Sequence, residues 1–426
     1  MSALTAHKFG GASVKDAHAI RRVADLLQST LGEREHAVVV VSAMGKTTNA
    51  LEAVWAAGDD VEHQRALWEG LLSTHVDVAR ELGLPTDVES ALSELWNQCW
   101  DDARSCDAHS SAGYDAFVSA GELASTLLVA HWLRGSGVDA AWWDVRDTLR
   151  TVGPHQSARV EEDLLDDMGA SLREHFGERM GRHVVVTQGF IGRHHDGLTS
   201  TLGREGSDYS VALLAVACGA SAVTIWKDVP GMMNADPRIH PEAVTVPRVD
   251  HGEAIELSYY GASVIHPRTI KPLRTAGLPL WVRSFKEPEG PSTCIDAFPD
   301  LIPDVPMFIW REQQSWIEVS TLDGSFLAED HLTTLFSAMD GVAMHVRLMQ
   351  QSATHFGLVV DMDEPKTNTL REALRGRLDM TVMDGLKLLT VRHGNQQVLD
   401  SLSGQLTVLI EQRTDATWRR LLGPLS

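Results

Sequence analysis

Residues 36–49 read HAVVVVSAMGKTTN: a run of valines, then small residues around a glycine, then the start of a helical pattern. A short apolar run closed by a turn signal is a strand entering a loop and a helix. The same unit recurs along the first two thirds of the chain. Candidate strands cover 4–8, 36–42, 138–143, 183–188, 222–226 and 278–283. Helix-like stretches lie between them at 16–30, about 49–82, 121–133, 160–176, 207–218 and 251–260. This alternation predicts an α/β fold, a mostly parallel sheet sandwiched by helices, with ligands bound beyond the carboxyl ends of the strands.

The texture changes over 286–306, KEPEGPSTCIDAFPDLIPDVP, which is rich in Pro, Gly and Asp and reads as a linker. The expected organisation is a first domain over 1–290, a crossing segment at 291–306 and a second domain over 307–426. In the latter, strands at 307–311, 316–320, 343–349 and 355–361 with helices at 326–339 and 368–374 follow the βαββαβ rhythm of a ferredoxin-like module. Strand 386–391, helix 396–402 and strand 406–412 read as an abbreviated or interleaved second copy.

With 426 residues, 43% hydrophobic and 22% charged, the chain is an ordinary globular protein too long for one core. Its formal charge of -21 argues against nucleic-acid or anionic-membrane partners, which need clustered Lys and Arg. An anionic substrate would therefore need a few cations and N–H groups gathered in one cleft. The four cysteines lack CxxC spacing, and the nineteen histidines and twelve tryptophans lack metal-ligand spacing, so no disulfide framework or protein-bound metal is expected. No signal-peptide pattern opens the chain and no stretch approaches a membrane span, which makes the cytoplasm the expected compartment.

Five segments could carry chemistry. Lys8-Phe9-Gly10-Gly11-Ala12-Ser13 follows a strand and precedes a helix; its N–H groups could cradle phosphate beside a lysine, or it could be a tight turn. Ser42 to Asn49 offers hydroxyl and backbone donors for a carboxylate, or a helix cap at Thr47 or Thr48. Thr201 to Ser210, TLGREGSDYS, offers the Arg204 fork and, with Ser207, a positive helix end. Asp208 there could serve the helix dipole, orient a lysine or hold magnesium. Trp226 to Arg238, WKDVPGMMNADPR, is a loop with two cations. In the segment 256–267, ELSYYGASVIHP, His266 before Pro267 reads as a structural turn residue.

Together with SAGE at 119–122, these segments in this order resemble the aspartate kinases of the amino-acid kinase superfamily across residues 8–267. The C-terminal units look like that family's paired ACT modules. The resemblance implies a monofunctional, ATP- and Mg2+-using enzyme that phosphorylates the β-carboxylate of L-aspartate at the start of aspartate-family amino-acid biosynthesis. It implies that Lys8 stabilises the phosphoryl group in transfer while Asp208 organises Lys8, and that Arg204 clamps an aspartate carboxylate. Glu122 would meet the α-ammonium, and Ser42, Thr48 and Ser207 would serve the substrate. Gly10, Gly11 and Ser13 would line the phosphates, and Lys227, Asp228, Asp236 and Arg238 would border ATP. Magnesium would rest on phosphate and water rather than on protein ligands.

Three positions depart from the family's common residues: Lys227 for Ser or Thr, Met233 for Tyr and Ser263 for Lys. All three lie on the nucleotide side of the site that the resemblance implies. The competing expectations are a kinase of glutamate, acetylglutamate or a nucleotide, and a catalytically inactive amino-acid sensor acting through the ACT modules. A homodimer or larger homo-oligomer is expected, because such modules bury a sheet edge or face by pairing. An amino-acid effector is expected at those modules, without indication of which.

Overall fold

Leu4–Phe9 (β1) and His36–Val41 (β2) pair in parallel, and all six residues of the valine-rich strand are buried. The first of two units continues with β3 (Ala140–Trp143), β4 (Arg150–Val152), β5 (Arg159–Val160), β6 (His183–Gln188), β7 (Ile191–His194) and β8 (Thr199–Thr201). It ends with β9 (Val223–Lys227), β10 (Arg248–Asp250), β11 (Leu280–Ser284) and β12 (Ser292–Asp296). The main sheet runs β10-β12-β11-β9-β1-β2-β6-β3 and is parallel at every pairing but β11 with β12. A small sheet, β5-β4-β7-β8, stands apart from it. The computed structural model describes residues 4–33, 35–58, 60–107, 109–176, 183–262, 264–298, 303 and 305–424; Ser263 lies outside them.

The helices are α1 (Ala17–Thr30), α2 (Thr47–Ala56), α3 (Val61–Leu82), α4 (Thr86–Ser105), α5 (Ser111–Gly135), α6 (Leu165–Phe176), α7 (Gly206–Cys218), α8 (His251–Tyr260) and α9 (Pro267–Ala276). The single helix expected over 49–82 is two, because Gly58 takes φ 31° and Asp60 caps a new start by accepting from the His63 N–H. Contrary to the sequence reading, one helix among the described residues, α5, is long and apolar enough to cross a membrane; almost all of its apolar stretch is buried inside the protein. Along it, Asp115, Ser119, Glu122 and Thr126 recur at helical spacing and are all buried, so an apolar helix carries one polar face into the core.

The segment expected to begin a linker also differs. Ser292–Asp296 is β12, antiparallel to β11, with Thr293, Cys294 and Ile295 buried. The Pro- and Gly-rich residues before it make the turn, in which the Gly290 N–H donates to the Glu287 carbonyl. The first unit comprises Met1–Met232, Thr245–Ser258 and Ser263–Leu301, and the second Met233–Val244, Tyr259–Ala262 and Ile302–Ser426.

The second unit contains β13 (Met307–Thr321), α10 (Glu329–Gly341), β14 (Val346–Gln351), β15 (His355–Asp361), α11 (Glu364–Leu374), β16 (Leu378–Arg392), α12 (Gln396–Ser403), β17 (Thr407–Arg413) and β18 (Thr417–Gly423). Its antiparallel sheet has the order β14-β15-β13-β16-β18-β17. The two strands expected at 307–311 and 316–320 are one, bent by a register shift between Arg311 and Gln314, where Gln313 takes φ 53°. The later half of β13 with α10, β14, β15, α11 and the start of β16 makes one βαββαβ module around Ile317, Leu335, Phe356, Leu358 and Leu370. The earlier half of β13 and the end of β16 join α12, β17 and β18 around Leu389, Leu399 and Trp418. The second copy is thus interleaved with the first through two shared strands, and β18 completes a tail that the sequence reading left bare.

Candidate active site

The loops that leave β1 and β2 lie against each other at the carboxyl end of the sheet. The Gly45 N–H donates to the Gly11 carbonyl at 3.0 Å, and a Cβ on Gly11 would stand 2.5 Å from the Gly45 oxygen and 2.7 Å from that of Ala43. Gly11 is therefore dictated by loop packing. Ser13 is buried, and its N–H donates to the Gly10 carbonyl.

Because β9 neighbours β1 in the sheet, Lys227 at its end comes beside Lys8. Both reach the same carboxylate: Lys8 Nζ is 2.8 Å from one oxygen of Asp208, and Lys227 Nζ is 3.0 Å from the other. Asp208 is only 1% exposed. Burial pushes its carboxyl up, but the two ammonium groups outweigh burial and hold it well below the usual carboxylate range. Lys227 is conversely raised: burial opposes its charge, and Asp208 and Glu205 favour it more strongly. Burial, joined by the negative charge of Asp208, raises the Glu205 carboxyl.

Asp208 sits in the first turn of α7, which starts after Glu205 at φ 57° and has no side-chain cap. Its positive end is left to an anion. Close approach there is possible because Gly189, just past β6, has no side chain; a Cβ would lie 2.6 Å from Ser207 Cα. The loop before α7 is anchored behind. Asp115, wholly buried on α5, accepts from the Thr201 N–H at 3.0 Å and the Thr201 hydroxyl at 2.7 Å, while Arg268 donates to the Leu202 carbonyl at 2.7 Å.

Glu122 brings a second carboxylate from α5. One oxygen accepts from the Ala43 N–H and the Thr48 hydroxyl, each at 3.4 Å, and the other is buried with no hydrogen-bond partner. Burial pushes this carboxyl up to about 8. Thr48 is therefore not the cap of α2; its hydroxyl faces the site.

A cavity of about 370 Å³ is lined by Lys8, Ser42, Thr48, Glu122, Arg204, Ser207, Asp208 and Lys227, all singled out in the sequence. Gly203, Glu205 and Gly206, within the segment 201–210 but given no role there, line it as well, and so does Phe190, which was missed. The clue to Phe190 was the glycine before it at the strand end; it takes φ 69° there. Gly10, Gly11, Ser13 and Asp228 are not among the lining residues. Asp236 and Arg238 belong to a loop of the second unit, where they form an exposed ion pair at 2.6 Å. His266 caps α9, its ring accepting from the Arg268 N–H at 3.2 Å, as a turn residue should.

A lysine–carboxylate–lysine bridge at an uncapped helix start, with one oxygen of a second carboxyl left unpartnered in the same cavity, suits a polyanion and an ammonium-bearing small molecule. The amino acid kinase family model matches residues 3–284, and the chain belongs to that family. Over 407 residues it is 32% identical to the lysine-sensitive aspartokinase 3 of Escherichia coli (strain K12), covering 92% of this chain and 87% of that protein. Its structure is similar to that of E. coli aspartokinase III in complex with aspartate and ADP in the R-state, with a TM-score of 0.81 at 29% identity over 99% of this chain and 96% of the other. The same enzyme with lysine and aspartate in the T-state gives 0.82 at 29% identity over 98% and 95%.

Proposed function

We propose that this protein is an aspartate kinase, which transfers the γ-phosphoryl group of ATP to the β-carboxylate of L-aspartate and releases ADP and 4-phospho-L-aspartate. The observation that carries this reading is the pairing, in one cavity, of the partnerless Glu122 oxygen with the Lys8–Asp208–Lys227 bridge. An acceptor with a free amino group needs a buried carboxyl that can ionise beside it, and Glu122 supplies one. An acylated amino acid or a nucleotide base has no use for it.

In this mechanism the α-ammonium of aspartate binds Glu122, whose raised carboxyl releases its proton to solvent and becomes the carboxylate partner. Arg204 takes the α-carboxylate, while Ser42 and Thr48 place the β-carboxylate. A β-carboxylate oxygen attacks the γ-phosphorus as the bond to the β–γ bridging oxygen breaks, and ADP leaves with that electron pair. Lys8 and the first turn of α7 at Ser207 neutralise the charge on the phosphoryl oxygens, and Asp208 keeps Lys8 and Lys227 in position. No covalent enzyme intermediate is required. Mg2+ would be held by the nucleotide rather than by Asp208, each of whose oxygens is already held by an ammonium group, and would neutralise phosphate charge. Gly10 is assigned to the phosphates, because a Cβ there would meet Lys8 Nζ at 3.4 Å; Gly11 and Ser13 build the loop. Asp228, exposed just after β9, is assigned to the nucleotide's edge. The paired Asp236 and Arg238 receive no role in transfer.

The interleaved second unit is assigned to binding an amino-acid effector and to homo-oligomer formation. Its edge strand β17 exposes Val408 and Leu409, which favours pairing with another copy. The free cysteines Cys99, Cys106, Cys218 and Cys294 favour a reducing, cytoplasmic setting.

The test is ADP release with Mg-ATP and L-aspartate, L-glutamate or N-acetylglutamate. Turnover with aspartate alone is expected. Absence of turnover with all three, in folded protein, would transfer the assignment to an amino-acid sensor.

A further inference from the structure

Away from the cavity, three side chains of the small sheet converge. His155 lies in the β4–β5 loop, His194 ends β7, and Asp196 sits in the β7–β8 turn; one ligand atom from each falls within 4.8 Å of the others. The far side of each ring is already committed. His155 Nδ1 is 2.9 Å from an oxygen of Asp115, a carboxylate that also accepts from the Gln156 and Thr201 N–H groups, so this nitrogen carries the proton and donates. His194 Nε2 is 2.9 Å from the Gly153 carbonyl, which can only accept, so it too must donate.

In the neutral rings, this leaves lone pairs on His155 Nε2 and His194 Nδ1. Both face one oxygen of Asp196, at 3.1 Å and 2.8 Å. The other Asp196 oxygen accepts from the Leu198 N–H at 2.9 Å, which fixes the carboxylate's direction. Three acceptors aimed at one point repel unless protons or a metal cation stand among them. Metal-bound imidazoles characteristically donate their other N–H to a carboxylate or carbonyl, the arrangement found here at both rings. Bonds of roughly 2.0–2.2 Å to a tetrahedral ion would place ligand atoms roughly 3.3–3.6 Å apart, so Asp196, at 3.1 and 2.8 Å from the two rings, would draw back by a few tenths of an ångström to admit it.

We propose that His155, His194 and Asp196 form a binding site for a divalent transition-metal ion, with Zn2+ as its ordinary occupant and water completing the tetrahedron. Two imidazoles and one carboxylate select zinc over magnesium, which takes oxygen ligands and keeps its water. Asp196 is exposed, so the ion has an open approach from solvent, while His194 is buried and His155 partly so. Through Asp115 and Thr201 the ion would tie the hairpin to the loop that carries Arg204.

The test is a titration of the full chain with Zn2+ against a chromophoric chelator, with Co2+ absorption reporting coordination geometry. One ion per chain and a tetrahedral Co2+ spectrum are expected. His155→Gln, His194→Gln and Asp196→Asn should each weaken binding by at least about 100-fold, beyond the roughly 10–100-fold typical of outer-shell changes. His195→Ala, an exposed neighbour outside the ligand set, should bind as the parent does. Asp196→Asn keeps the oxygen that accepts from Leu198 and is the variant safest for folding. Two results would overturn the proposal: no stoichiometric Zn2+ binding by the parent chain, or binding that survives both His194→Gln and Asp196→Asn. The first would leave the cluster as two imidazoles hydrogen-bonded to a carboxylate, and the second would place the ion on other histidines.

Discussion

Lys8 Nζ stands 2.8 Å from an Asp208 oxygen that is itself almost completely buried. The pair is shut off from the solvent that would otherwise screen it, so the lysine is oriented before nucleotide arrives. Lys8→Ala leaves Asp208 neutralised by Lys227, and the fold should survive. Turnover with aspartate should fall by about 10²–10³-fold, as when one preorganised donor to a transition-state anion is removed. The measurement is kcat for ADP release, with far-UV circular dichroism as the control for folding.

Asp208→Asn has the opposite character. It leaves two ammonium groups facing each other without their common anion, and breaking a buried pair in this way costs about 3–5 kcal/mol. Nucleotide phosphates would restore the missing negative charge. The thermal midpoint of the variant should therefore rise more with Mg-ATP than that of the parent protein; an equal rise would count against Asp208 as the residue that organises both lysines.

Glu122 trades stability for recognition. Its folded value of about 8 lies above the ordinary carboxyl value, so between the two the folded chain holds a proton that the unfolded chain has released. Stability contributed by this group is therefore present at low pH and lost as pH rises toward 8. Glu122→Gln should remove that loss and raise the apo midpoint relative to the parent at pH 8 and above, while abolishing use of aspartate. Both midpoints followed against pH decide it.

The same group should govern the pH dependence of catalysis. The form that binds an ammonium is the carboxylate, and kcat/KM reports the free enzyme. With aspartate varied, kcat/KM should climb with pH up to about 8, whereas kcat at saturating aspartate should be flatter, since bound ammonium lowers the pKa of Glu122. A flat kcat/KM across this range would remove Glu122 from the ammonium site.

Gly11→Ala tests the loop packing. A methyl group 2.5 Å from the Gly45 oxygen forces the two loops apart. Overpacking of this kind costs about 1–3 kcal/mol, which urea denaturation would read as a lower midpoint at unchanged slope.

Much of the fold was legible because strands such as 183–188 and helices such as 251–260 write their period into neighbouring residues. The helix α4 was legible too and was overlooked: Val88, Leu92, Trp96, Cys99, Trp100 and Ala103, its buried face, recur at helical spacing. The strand β12 was masked by the Pro, Gly and Asp residues around it, which act on the turns and not on the ladder. Eight of the singled-out residues line the cavity, whereas Asp236 and Arg238 answer each other. A cation beside a turn signal does not reveal which anion it will meet.

What the sequence determined by itself was the local alphabet: which runs are strands, where glycines turn them, and which motifs stand at the strand ends. Those properties reside in backbone geometry and in side chains a few residues apart. Only the tertiary structure decided that β9 lies beside β1, so that Lys227 joins Lys8 on Asp208, and that Glu122 is buried deeply enough to hold its proton near neutral pH. It also decided that two modules share β13 and β16, and that His155 meets His194 and Asp196. The reason is physical: strand order, desolvation and charge pairing are sums over groups far apart in the chain, and they acquire values only once the chain has closed on itself.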